Sequence, residues 1–319
     1  MNFPFKSFIQ LCLLMLILSA CTSDSDAGNS TELEQNITLV KAKPTILIAH
    51  KTNSSPVVSL IVKELIESQI RYPVVLEEYS IEDTLFIDLS QQKVDVFLEV
   101  WPSQISDFQR NILNNLNELG ELGVEGQVGW HVSNDALEIF PKLDSWTGLK
   151  EPSIAEAFST PSTSPNGRLI SRPEYSSFDE ELINFAGLPF EVEYFTNEIS
   201  LRAELVSLKA AEKPYLIKEY SPSLISTEFE LSPIESPSVD NCKPNVASCA
   251  YGKENILKYS SLGLNKKSTS VATFLKNFEI SQKDYTILLS KEAEGQDPAV
   301  IAEQWILENE KKWSNWFEN

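Results

Sequence analysis

The strongest constraint on the fold lies in residues 45–101. TILIAH (45–50) is an apolar run of strand length that ends in a polar loop, KTNSSP. Val57, Leu60, Ile61, Leu65 and Ile66 then recur at three- and four-residue spacing, one face of a helix. Ser54 or Ser55 suits its N-cap, and Pro56 its first turn. Residues 73–78 read as a second strand, 81–92 as a second helix, and VDVFLEVWPS (94–103) as a third strand buried on both faces. Strand, helix, strand, helix, strand at this pitch predicts an α/β fold with a parallel sheet and right-handed crossovers. Ligands in such sheets bind beyond the carboxyl ends of the strands. KTNSSP and Trp101 both fall there, so Trp101 is either a plug for the core or one wall of a binding site.

Period-2 alternation puts residues 95, 97, 99 and 101 on one strand face. Asp95 starts the strand, where it caps backbone. Glu99 either supports the Trp101 site with negative potential or forms an ion pair within its own lobe.

Downstream, a long helix is expected over 102–119, followed by EGQVGWHVS (125–133). SWTGLKEP opens a second unit. GRLISRPEY, a helix over 178–186, FEVEYF, and a helix over 198–211 make it a smaller α/β lobe. KPYLIKEYSPS (213–223) reads as a return strand, and helices are expected at 270–278 and 298–317, the latter capped by Asp297. Trp305, Trp313, Trp316 and Phe317 fall at helical spacing as a core stripe. Trp146 reads as packing.

The N-terminus has the build of an export signal. Lys6 precedes the apolar run FIQLCLLMLIL, which is too short for a stable span, and Leu18-Ser19-Ala20 leads directly to Cys21. This resembles a bacterial lipoprotein signal (residues 1–20) with Cys21 as the lipidated first residue of the mature chain. Residues 21–43 are rich in Ser, Thr, Asp, Asn and Glu and read as a flexible tether. Cys242 and Cys249 have six residues between them. Outside the cytoplasm that pair is most simply a disulfide, worth roughly 2–3 kcal/mol by loop closure. No metal or cofactor is expected, because His50 and His131 show no ligand spacing with the thiols.

The net charge is −20, and loss of Lys6 with the signal takes it to −21. Nucleic acid is thereby excluded, since phosphate binding needs a basic face. The charge favours a cationic or zwitterionic solute over an anionic one. An exported hydrolase lacks support: the sequence contains neither Gly-x-Ser-x-Gly nor HExxH.

Taken in order, VDVFLEVWPS, GQVGWHVSNDAL with LDSWTGLKEP, PYLIKEYSPSLI, and DPAVIAEQWILENEKKWSNW resemble the glycine betaine/choline type of substrate-binding lipoprotein from ABC importers. The resemblance runs over residues 45–317. It implies the two-lobed periplasmic-binding-protein type II architecture, with residues 44–130 and 221–319 as lobe 1 and 131–220 as lobe 2. It also implies a quaternary ammonium ligand in the cleft, a membrane permease as partner, and a location in the periplasm or on the outer face of the cytoplasmic membrane. A quaternary ammonium has no N–H to donate, so ring faces suit it, at about 0.5–2 kcal/mol each.

Carried over from the family, Trp101 is the first-lobe cage tryptophan. Tyr220 stands where many relatives have the tryptophan of a Trp-Thr-Pro-His-Trp run, which here reads Tyr220-Ser221-Pro222-Ser223-Leu224. Tyr175 is the nearest match to the second-lobe aromatic, and Trp130, with His131 beside it, is a further wall candidate. Backbone donors at Asn53 and Ser54 suit a ligand carboxylate. With no histidine after Pro222, Arg168 and Arg172 are possible substitutes. His50 reads as a hydrogen-bonded structural residue. A two-lobed scaffold that lost the cage and acts through protein contacts, or a binder of a different small zwitterion, is the alternative reading.

Overall fold

The computed structural model describes residues 42–52, 54–173, 176–235 and 252–318. Asn53, Tyr175, Cys21, Cys242 and Cys249, with the signal and most of the tether, lie outside them. The described residues from Lys43 onward form one compact unit.

The first lobe begins as expected. Strand β1 (Ile46–Lys51) leads to α1 (Val57–Leu65), β2 (Val74–Tyr79), α2 (Glu82–Ser90) and β3 (Val96–Val100). Strand β1 pairs in parallel with β2 and β3. The expected helix over 102–119 is replaced by three pieces. Pro102–Gln104 makes one 3-10 turn, and Ser106 then starts α3 (Asp107–Leu113) with a reciprocal cap to Gln109. The chain next extends into β4 (Leu116–Ser133). Gly120 and Gly123, at φ 95° and 93°, fit the two register shifts of this long strand and are poor helix residues.

The second lobe holds α4 (Asn134–Ile139), α5 (Pro152–Ala157), β5 (Gly167–Ser171), α6 (Ser176–Ala186), β6 (Phe190–Tyr194), α7 (Glu198–Ala210), β7 (Leu216–Ser221), α8 (Leu224–Glu228) and β8 (Leu231–Pro233). The chain returns through β9 (Lys253–Ser261), α9 (Leu264–Lys267), α10 (Thr269–Asn277), α11 (Gln282–Ala293), α12 (Pro298–Glu308) and α13 (Glu310–Trp313). Among the described residues, nine strands make one mixed sheet in the order β2-β1-β3-β9-β4-β7-β5-β6, with β8 also on β4.

Strand β4 belongs to both lobes. Up to Gln127 it pairs antiparallel with β9, and from Gln127 onward it pairs with β7. The hydrophobic cores divide at the same place. Ile48, Val96, Leu98 and Val128 pack with α1, α10, α11 and α12 on one face of the first lobe, and Ala49 and Phe97 with Leu85 and Phe86 on the other. In the second lobe Trp130, Leu169 and Leu216 pack with α5 and α6, while Ile170 and Ile217 pack with α7 and α8.

Residues 225–235 correct the expected return at 221. Ile225, Phe229 and Leu231 join the core around Leu201 and Leu205, and Ile234 joins that around Trp130. Strand β9 and helix α11 had no counterpart in the sequence reading. In β9 a core position is taken by Lys258, fully buried, whose ammonium donates to the carbonyls of Leu275 (3.0 Å) and Phe278 at the end of α10. The C-terminal aromatic stripe packs as expected, with Trp305 stacked on Trp316 at 6.0 Å. No helix of the described residues is long and apolar enough to cross a membrane.

Candidate ligand-binding cleft

The carboxyl ends of the parallel strands converge on a cleft of about 740 Å³. Strand β1 delivers Lys51, β2 Tyr79, and β3 Glu99 and Trp101. From the other lobe Arg172 follows β5, Phe195 follows β6, and Glu219 and Tyr220 end β7. This is where α/β sheets hold ligands, because helix starts and loop backbone meet there.

Trp101 and Tyr220 meet in this cleft. Their rings stand edge to face, centroids 4.9 Å apart at 68°. Both line the opening while packing on the first-lobe core, so Trp101 is wall and plug together. Lys51 Nζ lies 5.6 Å from the Tyr220 ring centroid and 3.4 Å from Glu82 Oε2.

The β3 alternation is broken by a register shift between Phe97 and Val100. Phe97 therefore faces the α2 side, and Glu99 and Trp101 both reach the cleft. Asp95 serves structure: it accepts from the Leu47 backbone N–H at 2.7 Å and pairs with Lys267 at 2.6 Å. Glu99 accepts from the Tyr285 hydroxyl at 3.1 Å. Burial pushes its carboxyl up to about 7, against the pull of that hydrogen bond and of Lys51. The Tyr285 hydroxyl is pushed well above the ordinary tyrosine value, by burial and then by Glu99.

Tyr285 is a cleft residue that the sequence reading missed. A signal for it existed: Ser281 caps α11 through the Asp284 N–H, and Tyr285, Leu288 and Leu289 follow at core spacing. Glu219 was missed as well. Burial raises its carboxyl, opposed by Arg172, whose Nη2 lies 3.1 Å from both Glu219 Oε2 and Glu198 Oε2.

Two candidates leave the site. Trp130 is fully buried in the second lobe, where its indole N–H donates to Asp179 Oδ1 at 2.8 Å. His131 is also fully buried, with Nδ1 on the Gly129 carbonyl at 2.9 Å and, among the described residues, no hydrogen-bond partner at Nε2. The second half of β4 is covered on both faces, so neither side chain reaches the opening. Arg168 is likewise held away, by Glu193 at 2.9 Å and Glu204 at 2.5 Å. His50 lies outside the cleft lining, and among the described residues its buried Nδ1 lacks the hydrogen bond expected for it. Ser54 does line the cleft, but its N–H donates back to the Lys51 carbonyl at 3.2 Å, and its hydroxyl does so at 2.8 Å.

Two α/β lobes joined by a shared strand, with ring faces and carboxylates around a cleft of this size, define a solute receptor of the type II periplasmic-binding class. Residues 44–308 match the family described as the substrate binding domain of the ABC-type glycine betaine transport system, and the chain belongs to that family. Among solved structures, it is similar to a lactococcal glycine betaine-binding protein (OpuAC) in its closed, liganded form. There the identity is 15%, with 86% of this chain and 99% of the other covered at a TM-score of 0.65. A glycine betaine/L-proline-binding protein (ProX) from Borrelia burgdorferi gives 14%, 86%, 97% and 0.65 on the same measures. An ABC-transporter choline-binding protein in complex with choline gives 13%, 85%, 91% and 0.64. No curated protein sequence matches. At these identities the structural likeness speaks to the fold alone.

Proposed function

We propose that this chain captures a quaternary ammonium solute between its lobes and presents the closed form to the permease of an ABC importer, with no bond made or broken. The observation that carries the reading is the Trp101–Tyr220 pair, contributed by β3 and β7 and facing one cleft. Phe195 and Tyr285 add aromatic surface nearby. A methylated cation gains there both cation–π attraction and burial of its methyl groups. Lobe closure is a twist of β4 and its neighbours about Gln127, where the strand changes partners. The similar proteins solved with glycine betaine and with choline support this ligand class.

Export through the N-terminal signal and lipidation at Cys21 complete the proposal. Tethered at the membrane surface, the receptor delivers solute to its permease at high local concentration. A Cys21→Ser variant that leaves the membrane fraction supports the anchor, and one that stays in it overturns the anchor.

A thermal-shift panel of glycine betaine, choline, carnitine and proline betaine tests the ligand class. A binder gains RT ln(1 + [L]/Kd) in stability. A rise with at least one compound is the expected result. No rise with any of them points to a scaffold acting through protein contacts and overturns the reading.

A further inference from the structure

One corner of the cleft, between β3, α11 and the start of α1, gathers acids around neutral partners. Glu99 of β3 accepts from the Tyr285 hydroxyl at 3.1 Å. Glu292, two turns further along the same face of α11, accepts from the Ser55 hydroxyl just ahead of α1. Ser55, Glu99 and Tyr285 all line the opening. Lys51 of β1 is turned to Glu82 of α2, at 3.4 Å. Among the described residues neither Glu99 nor Glu292 has an ion-pair partner of its own.

Two carboxyls placed like this ionise at a cost. Each is withdrawn from water, and each charge opposes the other. At Glu99 burial is the main effect; Tyr285 and Lys51 pull against it, and Glu292 adds to it. At Glu292 burial is again the main effect, opposed by Ser55 and by Arg202 of α7. Across the opening, Arg172, Glu198 and Glu219 are occupied with one another. What this corner lacks is a positive charge, and Trp101, two residues along β3 from Glu99, is the ring on which the proposed solute would set one.

We infer, resting on the function proposed above, that solute capture is linked to proton release at this corner: the cleft holds its cation while Glu99 is ionised and lets it go when Glu99 takes up a proton. The linkage acts through the ammonium end, so it is the same for solutes with and without a carboxylate. Lobe closure also removes water from Glu99, which favours the neutral form. A full positive charge a few ångströms away is the stronger effect.

The direction of the pH dependence follows. Glu99 titrates at about 7 in the empty cleft, so above that value the binding-competent form predominates and below it the neutral form does. Apparent affinity scales with the ionised fraction, and it falls by up to about tenfold between pH 8 and pH 6. The receptor loads in neutral or alkaline surroundings and unloads as they acidify. His131 stays neutral in the folded chain over this range, and Lys258, pushed down to about 8, lies in the core outside the cleft.

Isothermal titration tests the inference, using the compound among glycine betaine, choline, carnitine and proline betaine that gives the largest thermal shift. The charges of all four are fixed between pH 6 and pH 8. Wild type is expected to bind several-fold to about tenfold more weakly at pH 6 than at pH 8. Near pH 7, in buffers of different ionisation enthalpy, binding should release about half a proton. Glu99→Gln should bind equally at both pH values and release none. Tyr285→Phe withdraws a hydrogen bond that favours the ionised form, so it should move the midpoint upward. A wild-type Kd that stays within about twofold across the range, or a Glu99→Gln protein that keeps the wild-type pH dependence, overturns the inference and leaves the proposed function standing. Binding of no panel member at either pH overturns the proposed function itself. If Glu99→Gln does not fold, Tyr285→Phe decides: a raised midpoint supports the linkage, and an unmoved one overturns it.

Discussion

The indole of Trp101 lies flush on Gly126 of β4: a Cβ built at that glycine stands 2.3 Å from Cζ3 and 2.5 Å from Cη2 of the ring. Gly126 is next to Gln127, where β4 changes partners, so the ring that lines the cleft also touches the strand that joins the lobes. Gly126→Ala must push the indole away from its place. Ligand affinity is expected to fall about tenfold or more, while the empty protein loses only about 1–3 kcal/mol. Fluorescence titration beside thermal melts checks this, and Gly126→Ala combined with Trp101→Leu should regain the lost stability but not the affinity.

Trp130 provides the opposite case. Its indole N–H satisfies Asp179, whose carboxylate also accepts from Ser171 Oγ at 2.9 Å and lies 3.7 Å from Lys218 Nζ. Trp130→Phe keeps most of the apolar volume and withdraws one buried donor. A loss of about 1–3 kcal/mol in denaturant unfolding is expected, with ligand affinity unchanged. A large loss of affinity with unchanged stability would return Trp130 to the site.

The Lys51 ammonium stands over the Tyr220 ring. It is a like charge at the face proposed here for an incoming cation. Lys51→Met is expected to tighten choline binding severalfold, by roughly 0.5–1 kcal/mol, and to flatten its salt dependence. Titrations at low and moderate ionic strength read both effects. Weaker choline binding in Lys51→Met would give Lys51 a direct supporting role instead.

His131 makes stability depend on pH. Burial lowers its pKa from 6.5 to about 4, so between those values the unfolded chain binds a proton that the folded chain refuses. Stability is therefore complete above 6.5 and declines as pH falls toward about 4, by roughly 3 kcal/mol for this group. Glu99, raised to about 7, gives the reverse slope, but it is present in both proteins of a comparison. The stability difference between wild type and His131→Gln should narrow from pH 7 to pH 4. A constant difference across that range would show that His131 is not the group responsible.

Much of the first lobe was legible because its signals are local. The helix face from Val57 to Ile66 and the apolar strands around it need only near neighbours to be read. Trp101 was legible from its place at a strand end. Tyr220 followed from family position, and the ring pair then emerged from the sheet order β3-β9-β4-β7. Trp130 misled for a physical reason. An 18-residue strand that changes partners midway has no single exposed face, and period-2 reasoning assumes one. Lys258 concealed β9 in a similar way, since a charged residue at a core position breaks the alternation that marks a strand. Glu219 is a tertiary fact, set by Arg172, which no spacing rule links to it in advance. The cap of Ser106 by Gln109 is a local pair three residues apart, a signal present in the sequence that the expected long helix over 102–119 overrode.

The double membership of β4 limits how this molecule can be taken apart. Cut anywhere along Leu116–Ser133, one fragment keeps its helices but loses a central member of its sheet, leaving a raw edge of unpaired amides. Neither half is expected to survive excision as a soluble miniature receptor. Engineering of separate halves would have to duplicate the common strand, giving each fragment its own copy.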